Sequence, residues 1–132
     1  MRPPRALVVG CGVSGLTCAV RLIESGVPVE LWTRDLPART TSSVAGAIWY
    51  PFQAAPPAAV ARWSEQSYVE FQRLAGVEGS GVSMREGLEL VAANASDLGA
   101  ANRRCARGLR ELRRAELPQG FELGFEYQVP VI

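Results

Sequence analysis

Three glycines at fixed spacing, Gly10, Gly12 and Gly15, constrain the fold of this chain more than any other feature. The apolar run 5–9 predicts a strand buried on both faces, and helical spacing of apolar residues over 14–24 predicts a helix. In this context Gly10 allows a tight turn, Gly12 lets the backbone approach a diphosphate, and Gly15 lets the helix pack on the sheet. The helix amino terminus would then face the phosphates. A turn with incidental glycines is the alternative interpretation.

The segment 27–32 predicts a second strand, which completes a βαβ unit of about thirty residues. An acidic residue at the end of such a strand usually bonds the ribose hydroxyls. Here Thr33 holds the expected position, and Asp35 follows two residues later. Arg34 raises a second hypothesis, because an arginine at this place can hold the 2′-phosphate of NADP. A solvated ion pair at a turn is the structural alternative for Arg34 and Asp35.

The rest of the chain carries weaker patterns of apolar periodicity and of turn residues. Proline suits the first turn of a helix, so a helix is expected to begin at Pro57 or Ala58. The other predictions are a loop over 33–43, the end of that helix at 75, a strand over 82–91 interrupted at Gly87, a loop over 94–102, a short helix over 105–116 and a strand over 121–132.

A run of hydroxyl-bearing residues, 40–43, precedes the small residues 44–47 and the sequence Ile48-Trp49-Tyr50-Pro51. By themselves the hydroxyls indicate only a turn. Together with the glycine motif and the sequence Val29-Glu30-Leu31-Trp32-Thr33-Arg34-Asp35, however, this order resembles the N-terminal third of the D-amino-acid oxidase family. Segments 61–64 and 108–112 are also similar to family segments, so the resemblance spans nearly the whole chain.

The resemblance implies a binding site for FAD. Family members usually have the acidic and basic residues in the opposite order from Arg34 and Asp35, and a more polar residue than Tyr50. The implied cofactor-binding residues are Gly10, Cys11, Gly12, Val13, Ser14 and Gly15 around the diphosphate, Arg34 and Asp35 near the adenosine ribose, Thr40, Thr41 and Ser42 at the phosphate and the flavin side, and Gly46, Ala47 and Ile48 against the isoalloxazine ring.

The resemblance also implies oxidation of D-amino acids to imino acids, with oxygen reduced to hydrogen peroxide. Such enzymes bind the substrate carboxylate through an arginine and tyrosines of their C-terminal half, which no residue here matches, so no catalytic residue is assigned. We therefore expect an α/β, Rossmann-like FAD-binding domain with an incomplete parallel sheet over 1–71, and over 72–132 the truncated start of a substrate-side α+β region that contributes β structure. The chain alone is expected to be inactive, and the whole enzyme could be a homodimer. A non-catalytic nucleotide-binding remnant and an NAD(P)-dependent reductase are the alternatives.

Composition narrows the function classes further. The formal net charge of +1 gives no field that would select nucleic acid or a membrane, and no segment reaches the length of a membrane span. The chain has no histidine, and its three cysteines are too scattered for a zinc site or a disulfide framework. Cytoplasmic location is the expectation, since the apolar run before Cys11 is too short for a secretory signal. All basic residues are arginines, which is typical of a GC-rich, bacterial genome.

Overall fold

The computed structural model describes residues 5–51, 54–92, 103 and 106–132. The chain divides into two compact units, Met1–Ala45 and Gly46–Ile132. This division differs from the functional domains expected at 1–71 and 72–132. Because a ligand-binding domain need not coincide with a compact unit, the functional division stays a prediction. None of the described helices has both the length and the apolar composition needed to cross a bilayer.

The first unit contains the predicted βαβ arrangement. Strand β1 spans Ala6–Val9, helix α1 spans Val13–Glu24, and strand β2 spans Val29–Trp32. The two strands pair in parallel, with Ala6 opposite Val29 and Val9 opposite Trp32. Parallel neighbours need a crossover connection, and α1 supplies it. The two strands and the helix are therefore confirmed.

The expectation that β1 is buried on both faces is wrong for this structure. Leu7 and Val9 are 51% and 76% exposed, whereas Ala6 and Val8 are partly covered. Successive side chains of a strand point to opposite faces. Within the described part of the unit, α1 packs on the face of Val8 and leaves the other face open.

The segment after β2 contains more structure than the predicted loop. A 3-10 turn over Pro37–Arg39 is followed by the one-turn helix α2, Thr41–Val44. Proline starts the first turn with a suitable φ. The Thr40 hydroxyl donates a hydrogen bond of 2.8 Å to the Pro37 carbonyl, and the Ser43 hydroxyl donates one of 2.8 Å to the Thr40 carbonyl. The polar residues thus stabilise two short turns.

The second unit packs a long helix against an antiparallel sheet. Helix α3 spans Pro57–Ala75 and confirms the predicted start and end. The strands β3, β4 and β5 span Ser83–Ala92, Arg107–Glu111 and Phe121–Val131, in the order β3-β5-β4. Tyr68 of α3 is 1% exposed, and its hydroxyl donates to the Gln128 carbonyl at 3.2 Å. With Tyr127 and Val129 of β5 it forms the core of this unit.

Three details differ from expectation or lie outside the described residues. The helix predicted over 105–116 is wrong: residues 107–111 form β4, which pairs with β5, and a 3-10 turn over Arg114–Glu116 follows. The strand β3 continues through Gly87, which lies opposite Tyr127; a Cβ there would be 2.9 Å from the tyrosine ring, so the aromatic side chain fills the space. The loop predicted over 94–102 lies outside the described residues.

Candidate cofactor site

The chain leaves β1 through Gly10, whose backbone conformation most residues avoid. Gly10 has a φ of +100°, a region that side chains with a Cβ rarely adopt. Its amide donates a hydrogen bond of 2.7 Å to the Trp32 carbonyl at the end of β2. The turn therefore begins while the backbone is still joined to the neighbouring strand, at the carboxyl edge of the sheet. Ligands of open α/β sheets bind at this edge.

Gly15 provides the close approach between helix and turn. A Cβ at this position would overlap the Gly10 carbonyl oxygen, lie 2.9 Å from the Gly10 carbonyl carbon and lie 3.6 Å from Cγ1 of Val8. Backbone atoms cannot withdraw as a flexible side chain can. The third glycine is thus required by packing, as the spacing predicts.

The first turn of α1 has no acidic side chain, and one of its amides is hydrogen-bonded to a hydroxyl from elsewhere in the unit. Gly12 is the N-cap, and its carbonyl accepts the first helical bond, from the Leu16 amide at 3.0 Å. The Val13 amide donates to Oγ of Ser42 at 3.0 Å. A Cβ on Gly12 would lie 3.1 Å from that same Oγ. Because the first turn holds no acidic residue, the positive end of the helix dipole is not neutralised there.

Cys11 joins the turn to the loop after β2. The side chain is buried, with 2% exposure, and its thiol donates to the Asp35 carbonyl at 2.7 Å. The Thr33 hydroxyl donates to the same carbonyl, also at 2.7 Å. These bonds fix the backbone at Asp35 relative to the glycine turn. The sequence predicts Cys11 beside the diphosphate but does not predict its bond to Asp35.

These elements line an open cavity of about 440 Å³ at the carboxyl edge of the two strands. Its size falls in the range of about 300–1,000 Å³ typical of small-molecule sites. The lining combines glycine backbone, hydroxyls and charged groups. The lining residues are Val9, Gly10, Cys11, Gly12, Trp32, Thr33, Arg34, Asp35, Arg39, Thr40 and Thr41.

Arg34 and Asp35 form the ion pair that the sequence allowed. Nε of Arg34 lies 2.7 Å from Oδ2 of Asp35. The arginine side chain is 94% exposed and the aspartate side chain 38%, so solvent screens the pair and its contribution to stability is small. The consequence for a ligand is that the two charges largely offset one another at the cavity.

The expected flavin-side segment belongs to the second unit, where it extends the sheet. The Ala47 amide donates to the Ile132 carbonyl at 3.1 Å, and the Ile132 amide donates to the Ala47 carbonyl at 2.8 Å. The Trp49 amide donates to the Pro130 carbonyl at 2.9 Å. Ile48 forms an antiparallel bridge with Val131 and is 57% exposed. Gly46 precedes this pairing and has no neighbour within 4 Å of an added Cβ.

A polar cluster in the second unit anchors the next residue, Tyr50. The phenol of Tyr50 donates to Oε2 of Glu89 at 2.9 Å, and its ring stacks on Tyr127 with centroids 6.3 Å apart. Nη1 of Arg103 lies 2.6 Å from Oε1 of Glu89, and its guanidinium lies 3.9 Å from the centre of the Phe125 ring. Burial, with a smaller contribution from the Glu89 carboxylate, raises the pKa of Tyr127 above its usual value.

The structure brings together most of the expected residues of the first unit. Seven of them line the cavity: Gly10, Cys11, Gly12, Arg34, Asp35, Thr40 and Thr41. Val13 and Ser42 meet in a hydrogen bond, Gly15 packs behind the turn, and Ser14 is exposed in the first turn of α1. Arg39 also lines the cavity but was not expected from the sequence. The sequence feature that could have indicated it is the position of this basic residue directly before the hydroxyl-bearing residues 40–43.

A family model described as FAD dependent oxidoreductase, or DAO, matches residues 5–126. The chain belongs to the FAD-dependent oxidoreductase family. The match confirms the recognition made from the glycine motif and the segment 40–51. It also identifies the β1-α1-β2 unit as part of a Rossmann-like FAD-binding region, and FAD as the cofactor of the family.

Proteins named D-amino-acid oxidase are similar to this member of the FAD-dependent oxidoreductase family. The protein of Rubrobacter xylanophilus is 41% identical over 127 residues, which cover 96% of this chain and 39% of that protein. The protein of Streptomyces coelicolor is 46% identical over 88 residues, 66% of this chain and 28% of that protein. The protein of Dictyostelium discoideum is 41% identical over 63 residues, 46% of this chain and 18% of that protein. The chain thus spans less than half the length of each of these relatives.

Proposed function

We propose that this chain is the FAD-binding part of a D-amino-acid oxidase-like flavoenzyme that oxidises D-amino acids to imino acids. The observation that carries the proposal is the glycine turn, which opens a cavity at the carboxyl edge of β1 and β2. The relatives named D-amino-acid oxidase support the choice of substrate class. The proposal favours FAD over NADP because the family match extends through the hydroxyl cluster and beyond it.

The size and the charge of the cavity support the diphosphate of FAD as its ligand. Gly10 and Gly12 line it without side chains, and the amino terminus of α1 carries no acidic residue in its first turn. Amide hydrogens at a helix amino terminus are donors for anions. In this proposal the backbone of 10–15 holds the diphosphate, Arg34 and Asp35 lie near the adenosine ribose, and Thr40, Thr41 and Ser42 bond the phosphate or the flavin side.

Gly46, Ala47 and Ile48 complete the proposed set of cofactor contacts, on the flavin side. When bound, FAD would supply the two-electron oxidant for conversion of a D-amino acid to its imino acid, with oxygen as the final electron acceptor. The role of this chain is to bind and orient. The three backbone hydrogen bonds between 47–49 and 130–132 hold the proposed flavin-side segment in an extended conformation.

Purification and ligand titration of the 132-residue chain test the proposal. We expect a yellow protein with flavin absorbance, or a colourless one that quenches FAD fluorescence on titration. Binding of NADP(H) with no response to FAD would support the reductase instead. A folded chain that binds neither would support the non-catalytic remnant.

The proposal includes a cytoplasmic location. Cys11 and Cys18 are free thiols in the described part of the chain, as is usual in a reducing compartment. Measurement of the free-thiol content of the native protein, purified under an alkylating agent, checks this. Thiols recovered in oxidised form would contradict it.

A further inference from the structure

Arg39 lines the same cavity as the glycine turn, although no motif points to it. It ends the 3-10 turn, and its position there is well fixed. Its amide donates to the Leu36 carbonyl at 2.8 Å. The next residue, Thr40, bonds the Pro37 carbonyl through both its amide, at 3.1 Å, and its hydroxyl, at 2.8 Å. The backbone at Arg39 is therefore fixed beside the cavity, and only its exposed side chain has to be ordered when a ligand binds.

The charge balance of the cavity singles out Arg39. Three of the lining residues carry charge, namely Arg34, Asp35 and Arg39. The first two form an ion pair with each other at 2.7 Å. Among the residues that the structure describes, none forms an ion pair with Arg39. The excess positive charge at the cavity is thus that of its guanidinium.

A guanidinium is suited to a phosphate group. It stays charged throughout the physiological pH range, and its planar fork of N–H donors can bond two phosphate oxygens at once. A diphosphate carries two negative charges. The negative charge of Asp35 in the cavity is already balanced by the Arg34 guanidinium. Backbone amides supply partial charges only, so a full positive charge would add substantially to the attraction.

We propose that Arg39 is a further cofactor-binding residue, whose guanidinium bonds the diphosphate of FAD. This proposal rests on the proposed function, because it takes FAD as the ligand. Arg39, in the 3-10 turn, would then supply a full positive charge to the diphosphate, in addition to the backbone amides of the glycine turn. Arg34 then has a separate role, which is to bind the carboxylate of Asp35.

The test compares the dissociation constants of FAD, ADP and riboflavin for four forms of the chain. These are the wild type, Arg39→Gln, Arg39→Lys and Arg62→Gln, the last an exposed arginine of α3 whose loss makes the same change in net charge. Circular dichroism checks that every variant is folded. Because hydrogen bonds to charged groups are stronger than those between neutral groups, we expect Arg39→Gln to weaken the binding of FAD and ADP about 10- to 100-fold.

Two further results are expected if Arg39 bonds the phosphates. Arg39→Lys recovers part of the affinity, and the loss in Arg39→Gln shrinks as the salt concentration rises. Riboflavin, which has no phosphate, binds the wild type and Arg39→Gln equally, and Arg62→Gln behaves as the wild type. Equal FAD binding by the wild type and Arg39→Gln, or a loss that is the same at all salt concentrations, overturns this inference alone. A folded wild-type chain that does not bind FAD overturns the proposed function as well.

Discussion

The replacement Gly15→Ala tests how tightly α1 is fitted against the glycine turn. The added Cβ overlaps the Gly10 carbonyl oxygen and lies 2.9 Å from its carbonyl carbon. Carbon atoms in ordinary contact are about 3.5–4.0 Å apart, so the carbonyl carbon alone must withdraw by about 0.6 Å or more. Both partners belong to the backbone, and the Gly10 amide is bonded to β2. Relief therefore requires α1 to move away from the sheet.

We expect this change to lower the free energy of unfolding by about 3 kcal/mol, the upper part of the range for overpacked sites. At 25 °C that corresponds to a loss of about 100-fold in the folding equilibrium constant. FAD affinity should fall as well, because movement of α1 would shift the adjoining turn residues Gly10 and Gly12, which line the cavity. Urea unfolding followed by circular dichroism measures the first effect, and quenching of FAD fluorescence measures the second.

Gly76→Ala is the matched control for Gly15→Ala. Gly76 has a φ of −87°, which any residue adopts, and a Cβ there would lie 3.5 Å from the nearest carbonyl oxygen, an ordinary contact. Its effect should stay within about 0.5 kcal/mol, as for surface substitutions in general. If Gly15→Ala unfolds at the same urea concentration as the wild type and Gly76→Ala, the close approach deduced from the structure does not exist.

Two further predictions concern charged groups of the second unit. Glu89→Gln removes a carboxylate that is bonded to the buried guanidinium of Arg103, so the free energy of unfolding should fall by about 1.5–3 kcal/mol. Glu86→Gln, at an exposed position of the same strand, should change it by less than about 0.5 kcal/mol. Similar urea midpoints for both variants would contradict this. The Arg113 side chain, its amide and then the Arg110 side chain lower the pKa of Glu116 from 4.5 to about 2. Its carboxylate therefore stabilises the fold fully above about pH 4.5 and less as the pH falls towards 2, so the difference in unfolding free energy between wild type and Glu116→Gln should shrink over that range; a difference independent of pH would refute the pairing.

Local patterns in the sequence predict β1, α1 and β2 because each element follows from short-range constraints. The strands are short apolar runs, the helix has periodic apolar residues, and the glycines mark the turn between them. The helix α3 was equally predictable from the sequence, since Pro57 and Gly76 mark its two ends. The roles of Gly10 and Gly15 could be stated in advance because positive φ and close approach each exclude a side chain.

The contacts that were missed depend on parts of the chain distant in sequence. Residues 107–111 resemble a helix because they are rich in arginine and contain leucine, but β5 offers them backbone partners and they form β4. The bond from the Val13 amide to Ser42 and that from the Cys11 thiol to the Asp35 carbonyl join residues 29 and 24 positions apart. Arg39 enters the cavity only because the 3-10 turn folds back to it.

The backbone amides of the glycine turn offer the most direct measurement. Two-dimensional ¹H–¹⁵N NMR of the chain, titrated with FAD and then with ADP and with riboflavin, reports on each amide separately. We predict that FAD and ADP shift the resonances of Gly12, Val13 and Ser14, while riboflavin leaves them unchanged, since only the first two ligands carry a diphosphate. Saturation with FAD that leaves these three resonances in place would contradict the claim that this turn binds the cofactor.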